Sequence, residues 1–253
     1  MSVGTRLLSA LAWGQMLGVA VGGFFVQAPV FAATALFDRG RRISGRLFRL
    51  EAVATAKLSP FWSFAIHGDY PARLERPTVV VANHESNADV FLISHLPWEM
   101  KWLAKASLFK VPFVGWSMAL AGDIPVRRGE RGSGHEALAK CGEWLDKGVP
   151  VFVFPEGTRS KTGELGPFKD GAFRLAIEKG ADVLPLAVAG TRRALPKGSW
   201  VFAPSKALVT VGTPVSTAGM TLADVDRLKD EVRAQIERMR DGLRPLVADV
   251  SGR

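Results

Sequence analysis

The sequence predicts a layered α/β domain preceded by a helical membrane anchor, and three observations carry that expectation. Short, uncharged β-branched runs alternate with amphipathic helical stretches along most of the chain. The charged clusters follow directly on those runs, and ligand sites in α/β sheets gather where strands end. Near the N-terminus about thirty residues, Leu7 to Phe37, carry no charged side chain. That exceeds the roughly twenty needed to cross a bilayer core as a helix.

A chain of 253 residues suffices for one sizeable domain and an appendage. We divide it into an anchoring segment, residues 1–57, and a main domain, residues 58–253. The net charge of +9 suits an anionic partner: nucleic acid, a lipid headgroup surface or a phosphorylated substrate. Nucleic acid is disfavoured, because basic and aromatic residues do not interleave and no reader motif occurs. The single cysteine, Cys141, rules out an internal disulfide and a multi-cysteine metal site. It sits in a helical pattern and reads as a small core filler. The histidines form no cluster, so no metal is expected.

Arg6 precedes the apolar run, and Arg39, Arg41, Arg42, Arg46 and Arg49 follow it. The run is too long for the apolar region of an ordinary signal peptide, and the arginines behind it oppose export. A retained anchor on the cytoplasmic side of the cell membrane is therefore expected. Gln27 and Pro29 leave two forms open, one spanning helix or a re-entrant pair. Gly14, Gly18 and Gly22 share one helical face, where a second helix gains close approach. From Arg41 to Lys57, arginines mix with Ile43, Leu47, Phe48, Leu50 and Val53 at helical spacing. This reads as an amphipathic helix at the membrane interface, each Arg adding about 1 kcal/mol near an anionic leaflet. Leu58-Ser59-Pro60 ends it.

In the main domain, Val79-Val80-Val81 reads as a buried strand that stops at Asn83-His84. Ser86, Asn87 or Asp89 then caps a helix through Val90-Phe91-Leu92-Ile93. Asp89 folds back over one turn to hold one imidazole nitrogen of His84, and the other nitrogen is free to take a proton from a hydroxyl. This is the orienting half of a Ser-His-Asp triad without the serine, so the substrate's own hydroxyl becomes the nucleophile.

The remaining elements follow in order. Met100 to Lys105 is a strand, and Leu108 to Trp116 is an apolar turn into a helix over Ser117 to Ala121. Gly122 to Arg128 is a strand ending in two cations, with Pro125 suiting an edge or a bulge. Ser133 to Lys147 is a helix, and Val151 to Phe154 is a buried strand running into Pro155-Glu156-Gly157-Thr158-Arg159-Ser160. Phe168 to Gly180 is a helix; Val183 to Val188 and Ala207 to Gly212 are strands. Leu222, Val225, Leu228, Val232, Ile236 and Met239 stripe a last helix. His95 and His135 fit no motif and read as ordinary.

Asn83-His84-Glu85-Ser86-Asn87-Ala88-Asp89, Gly122 to Arg128, Phe154 to Ser160 and Val183 to Leu186 resemble the four ordered blocks of the glycerolipid acyltransferases. The branch they most resemble is the 1-acyl-sn-glycerol-3-phosphate acyltransferases, and the similarity runs from about Thr78 to Gly212. The resemblance implies that family's layered α/β fold. It also implies acyl transfer from a thioester, acyl-CoA or acyl carrier protein, to the sn-2 hydroxyl of lysophosphatidic acid, with no cofactor beyond the donor. His84 is then the general base and Asp89 its orienter. Arg128, Arg159 and Lys105 form a cationic nest for the acceptor phosphate. Glu156, Gly157 and Thr158 belong to the block that resembles an acceptor-binding loop, with the glycine allowing close backbone approach. The donors for the oxyanion are not identified by the sequence; backbone N–H groups just after His84 are candidates. Two alternatives stay open. One is a different acceptor, such as glycerol-3-phosphate, a lyso-ornithine lipid or another lysolipid. The other is a non-catalytic membrane-binding scaffold, for which an oriented His84 has no use.

Overall fold

The computed structural model describes residues 3–248, apart from Arg131, Lys161 and Lys197. In chain order the elements are α1 (Val3–Thr34), α2 (Arg42–Leu58), β1 (Trp62–His67), β2 (Thr78–Ala82), α3 (Asp89–Ile93), β3 (Lys101–Lys105) and α4 (Val114–Ala121). Then come β4 (Ile124–Val126), α5 (Ser133–Asp146), β5 (Val151–Val153), α6 (Gly171–Lys179) and β6 (Asp182–Ala189). The last three are α7 (Thr191–Ala194), β7 (Ser205–Val211) and α8 (Val225–Ala248). One seven-stranded sheet has the order β1-β7-β6-β2-β5-β3-β4. The strands from β6 to β4 are mutually parallel, whereas β7 is antiparallel to β6 and carries β1 beside it in parallel.

The sheet is covered on both faces, which explains the unbroken valine run. Every residue of β2 is buried, as expected of a central parallel strand. Val79 and Val81 pack with Cys141, Phe173 and Leu228, placing α5, α6 and α8 on one face. Val80 packs with Leu92, Trp98, Trp102 and Phe152 on the other. Pro125 lies on β4, the outermost strand, where a missing N–H costs nothing. Pro185 is tolerated inside β6 because β7 has already ended opposite it. Gly212 N donates to Pro185 O at 2.8 Å, and the next pairing is the isolated bridge Val183–Val215.

Three features of the N-terminal helices bear on the expectations. First, of the two forms left open, the structure has one continuous helix: Gln27 and Pro29 do not interrupt α1. Gln27 is buried, and its Nε2 donates to Ser44 O, Ser44 Oγ and Ser117 O, each at 3.1 Å. Second, a Cβ added at Gly14, Gly18 or Gly22 would meet nothing within 4 Å on another element among the described residues, so no second helix packs there. The helix that does approach is α2, at Gly23, where an added Cβ would lie 2.1 Å from the Glu51 side chain. Third, Arg41 just before α2 and the arginines on it turn towards the protein. Arg41 donates to Ala119 O at 2.7 Å, Arg42 to Gly148 O at 2.6 Å and Arg46 to Leu96 O at 3.2 Å. These carbonyls lie at or just beyond the C-terminal ends of α4, α5 and α3. Such groups lack intrahelical partners and attract cations. α2 therefore packs against elements that follow residue 58.

Arg49 makes the tightest of these links. Its Nη2 lies 2.5 and 2.6 Å from the two Asp123 oxygens, and the Asp123 side chain is 1% exposed. Arg49→Ala would leave that carboxylate buried without its cation. We expect a loss of about 3–5 kcal/mol, read as a lowered midpoint in calorimetry. An unchanged midpoint would show that the pair contributes nothing to stability.

α1 is long and apolar enough to cross a membrane. Leu7, Leu11, Leu17 and Phe25 are exposed on it. Its other face is bonded to the domain: Trp13 Nε1 donates to Trp200 O at 2.7 Å, and Phe202 N donates to Ser9 Oγ at 3.1 Å.

Candidate active site

β2 delivers His84 to the C-terminal edge of the parallel strands, and the preceding residue fixes the corner. The Asn83 side chain accepts from Val188 N at 2.8 Å and donates to Val188 O at 2.9 Å. It thus reproduces a ladder pair where β2 has ended. The His84 ring is buried and stacks on Phe154, centroids 3.9 Å apart at 16°. Its backbone is held by the loop after β5: His84 N donates to Glu156 Oε1 at 2.9 Å, and Ser160 N donates to His84 O at 2.8 Å.

His84 Nδ1 lies 2.7 Å from Asp89 Oδ2. The same oxygen accepts from Glu85 N at 2.8 Å and Ser86 N at 3.1 Å, and Oδ1 accepts from the Thr191 hydroxyl. Asp89 is fully buried. A carboxylate so supplied with donors accepts the Nδ1 proton and leaves Nε2 with a free lone pair. The helix cap differs from expectation: Ala88 precedes α3 with no side-chain cap bond, Ser86 Oγ accepts from Ala88 N at 3.2 Å, and Asp89 serves the corner before it. The N–H groups of Glu85 and Ser86, candidates for the oxyanion, are therefore taken by Asp89.

Glu156 and Gly157, expected at the acceptor, also have structural partners. Glu156 is 6% exposed, and its second oxygen accepts from Gly166 N at 2.8 Å. Oε1 thus braces the loop against the corner after β2, and Oε2 closes the loop on itself. Gly157 has φ 66°, and an added Cβ would come within 2.9 Å of Lys169 Nζ. Its small size admits Lys169 and the left-handed turn. Thr158 is exposed on the same loop.

The cations divide clearly. Arg127 bonds Glu130 at 2.5 Å. Among the described residues Arg128 and Arg159 make no ion pair, yet they lie close together. Burial and then the Arg159 charge hold the Arg128 guanidinium below its ordinary pKa. Two adjacent cations without an acidic partner have the charge that binding an anion requires. Lys105 is exposed at the end of β3, in register with Val126 of β4. It therefore leaves the sheet at the same edge as Arg128.

An acyltransferase family model matches residues 63–189. The chain belongs to the acyltransferase family. A chloroplastic 1-acyl-sn-glycerol-3-phosphate acyltransferase of Brassica napus is 39% identical over 166 residues, 65% of this chain and 48% of that protein. The chain thus spans about half the length of that relative. A 1-acyl-sn-glycerol-3-phosphate acyltransferase of Pseudomonas aeruginosa is 32% identical over 178 residues, 70% of this chain and 69% of that one. The crystal structure of the 1-acyl-sn-glycerophosphate (LPA) acyltransferase of Thermotoga maritima superposes with a TM-score of 0.69 at 28% identity. It covers 92% of this chain and 97% of that one.

In this acyltransferase the sequence reading passed over Thr191, buried after β6, although its Gly-Thr step at a strand end was a signal. It also assigned no role to Glu85, whose carboxyl is pushed up to about 7 by burial and by Asp89. Cys141 is fully buried in the core, and burial pushes its thiol up to about 12.

Proposed function

We propose that this acyltransferase moves an acyl group from an acyl thioester to the sn-2 hydroxyl of lysophosphatidic acid, giving phosphatidic acid. The observation that carries the reading is the oriented His84–Asp89 pair on the strand edge that also carries Arg128 and Arg159, which make no ion pair among the described residues. The names of the relatives agree with it.

The acceptor's phosphate sits on Arg128 and Arg159, with Lys105 beside them. Its hydroxyl donates to His84 Nε2. As the oxygen attacks the thioester carbonyl, its proton passes to Nε2, and Asp89 stabilises the imidazolium. Collapse of the tetrahedral intermediate breaks the C–S bond, and the imidazolium returns the proton to the leaving thiolate. The donor is acyl-CoA or acyl carrier protein. The exposed apolar face of α1 supports membrane attachment. With its other face bonded to the domain, α1 lies along the bilayer surface and holds the site beside lipid. We place the domain on the cytoplasmic face, where thioester donors are made.

The test is an acyl-transfer assay with purified protein, both donors and a panel of lysolipids and glycerol-3-phosphate. Preference for lysophosphatidic acid is expected, and a higher kcat/KM for another acceptor would replace this reading. The same preparation checks a second expectation. With Cys141 buried and protonated, attack is direct, and no acyl-enzyme forms. Mass spectrometry after quenching with donor alone should show the unmodified chain; a kinetically competent adduct would overturn direct attack.

A further inference from the structure

We propose that Thr191 is a positioning residue for the catalytic pair, acting through Asp89. The inference rests on His84 being the base, and it adds a third side chain from a different strand end. Asp89 Oδ2 is shared by His84 Nδ1 and two backbone N–H groups, whereas among the described residues Oδ1 has one hydrogen-bond partner, the Thr191 hydroxyl. Both Asp89 and Thr191 are fully buried, so no solvent replaces that donor.

The fold holds Thr191 in place by a tight device. Gly190 ends β6 with φ 96°, and an added Cβ there would lie 2.2 Å from Lys206 O. Gly190 O accepts from Ser205 Oγ at 2.6 Å, which ties the turn to β7. The hydroxyl also lies 3.5 Å from Glu85 Oε2. The carboxylate plane that His84 meets is thus set jointly by β2 and β6. Without the hydroxyl, a buried carboxylate oxygen loses its donor and the plane is free to turn. The Nδ1–H bond then loosens and the tautomer with a bare Nε2 is no longer enforced.

The experiment compares Thr191→Val and Thr191→Ser in the full chain. The first readout needs no substrate: the ¹⁵N shifts of the His84 ring, which distinguish its tautomers. Native protein and Thr191→Ser should show a protonated Nδ1 and a bare Nε2; Thr191→Val should show a mixture. The second readout is kinetic. Thr191→Val should lower kcat by about tenfold or more with either KM changed less than about threefold, and Thr191→Ser should restore most of it. Thr191→Ala supplies the same comparison if valine impairs folding. Native ring shifts and native kcat in a folded variant lacking the hydroxyl would overturn the proposal. An equal loss with serine would do so too. If the ring shifts respond but His84→Ala still turns over, positioning stands and the base assignment fails.

Discussion

His84→Ala lowers turnover by about 10²–10⁴-fold and leaves the protein folded. The size follows from losing the group that accepts the hydroxyl proton as the C–O bond forms. Folding survives because Asp89 keeps three other donors, from Glu85 N, Ser86 N and Thr191. No buried carboxylate is stranded, and the corner stays pinned through Asn83. Circular dichroism and a thermal melt would be recorded beside steady-state rates. Near-native turnover by a folded variant would remove His84 from the chemistry.

Replacing Arg128 or Arg159 by Ala raises the acceptor KM by about tenfold or more and changes the donor KM far less. Each loss removes charge-assisted bonds to phosphate. Burial first, and then the Arg159 charge, disfavour the charged Arg128 in the free protein. Removing either cation is therefore not expected to cost the folded state stability. Lysine at either position should rescue binding only in part, since a point charge lacks the bidentate fork. Kinetics with both substrates varied checks this. Equal effects on donor and acceptor would assign the arginines to the donor's phosphates instead.

Much of the sheet was legible because its strands are covered on both faces. Continuous runs such as Val79-Val80-Val81 and Val151-Phe152-Val153 admit little else. β1 was missed: its partly exposed edge position weakens the apolar signal, and its partner β7 lies far along the chain. The His84–Asp89 contact was legible because both ends lie within one turn. Thr191 and the bracing role of Glu156 were not, since each depends on a contact made across the sheet. α2 was misjudged for a related reason. Its spacing shows an amphipathic helix but not what lies opposite its arginines, and those side chains meet carbonyls of later elements.

The inward arginines change what ionic strength can do to this protein. A polybasic surface loses its hold on anionic lipid as counter-ions shorten the reach of its field, about 8 Å at physiological salt. Arg41, Arg42 and Arg46 are already committed to carbonyl oxygens, and Arg49 is neutralised by Asp123. The net charge of +9 is therefore a poor guide to how the chain meets a bilayer. Attachment through the outer face of α1 draws on non-ionic contact, which salt does not screen. On the attachment proposed above, residence at a bilayer would draw on the apolar area that α1 buries as well as on charge, and rising salt would weaken only the second part.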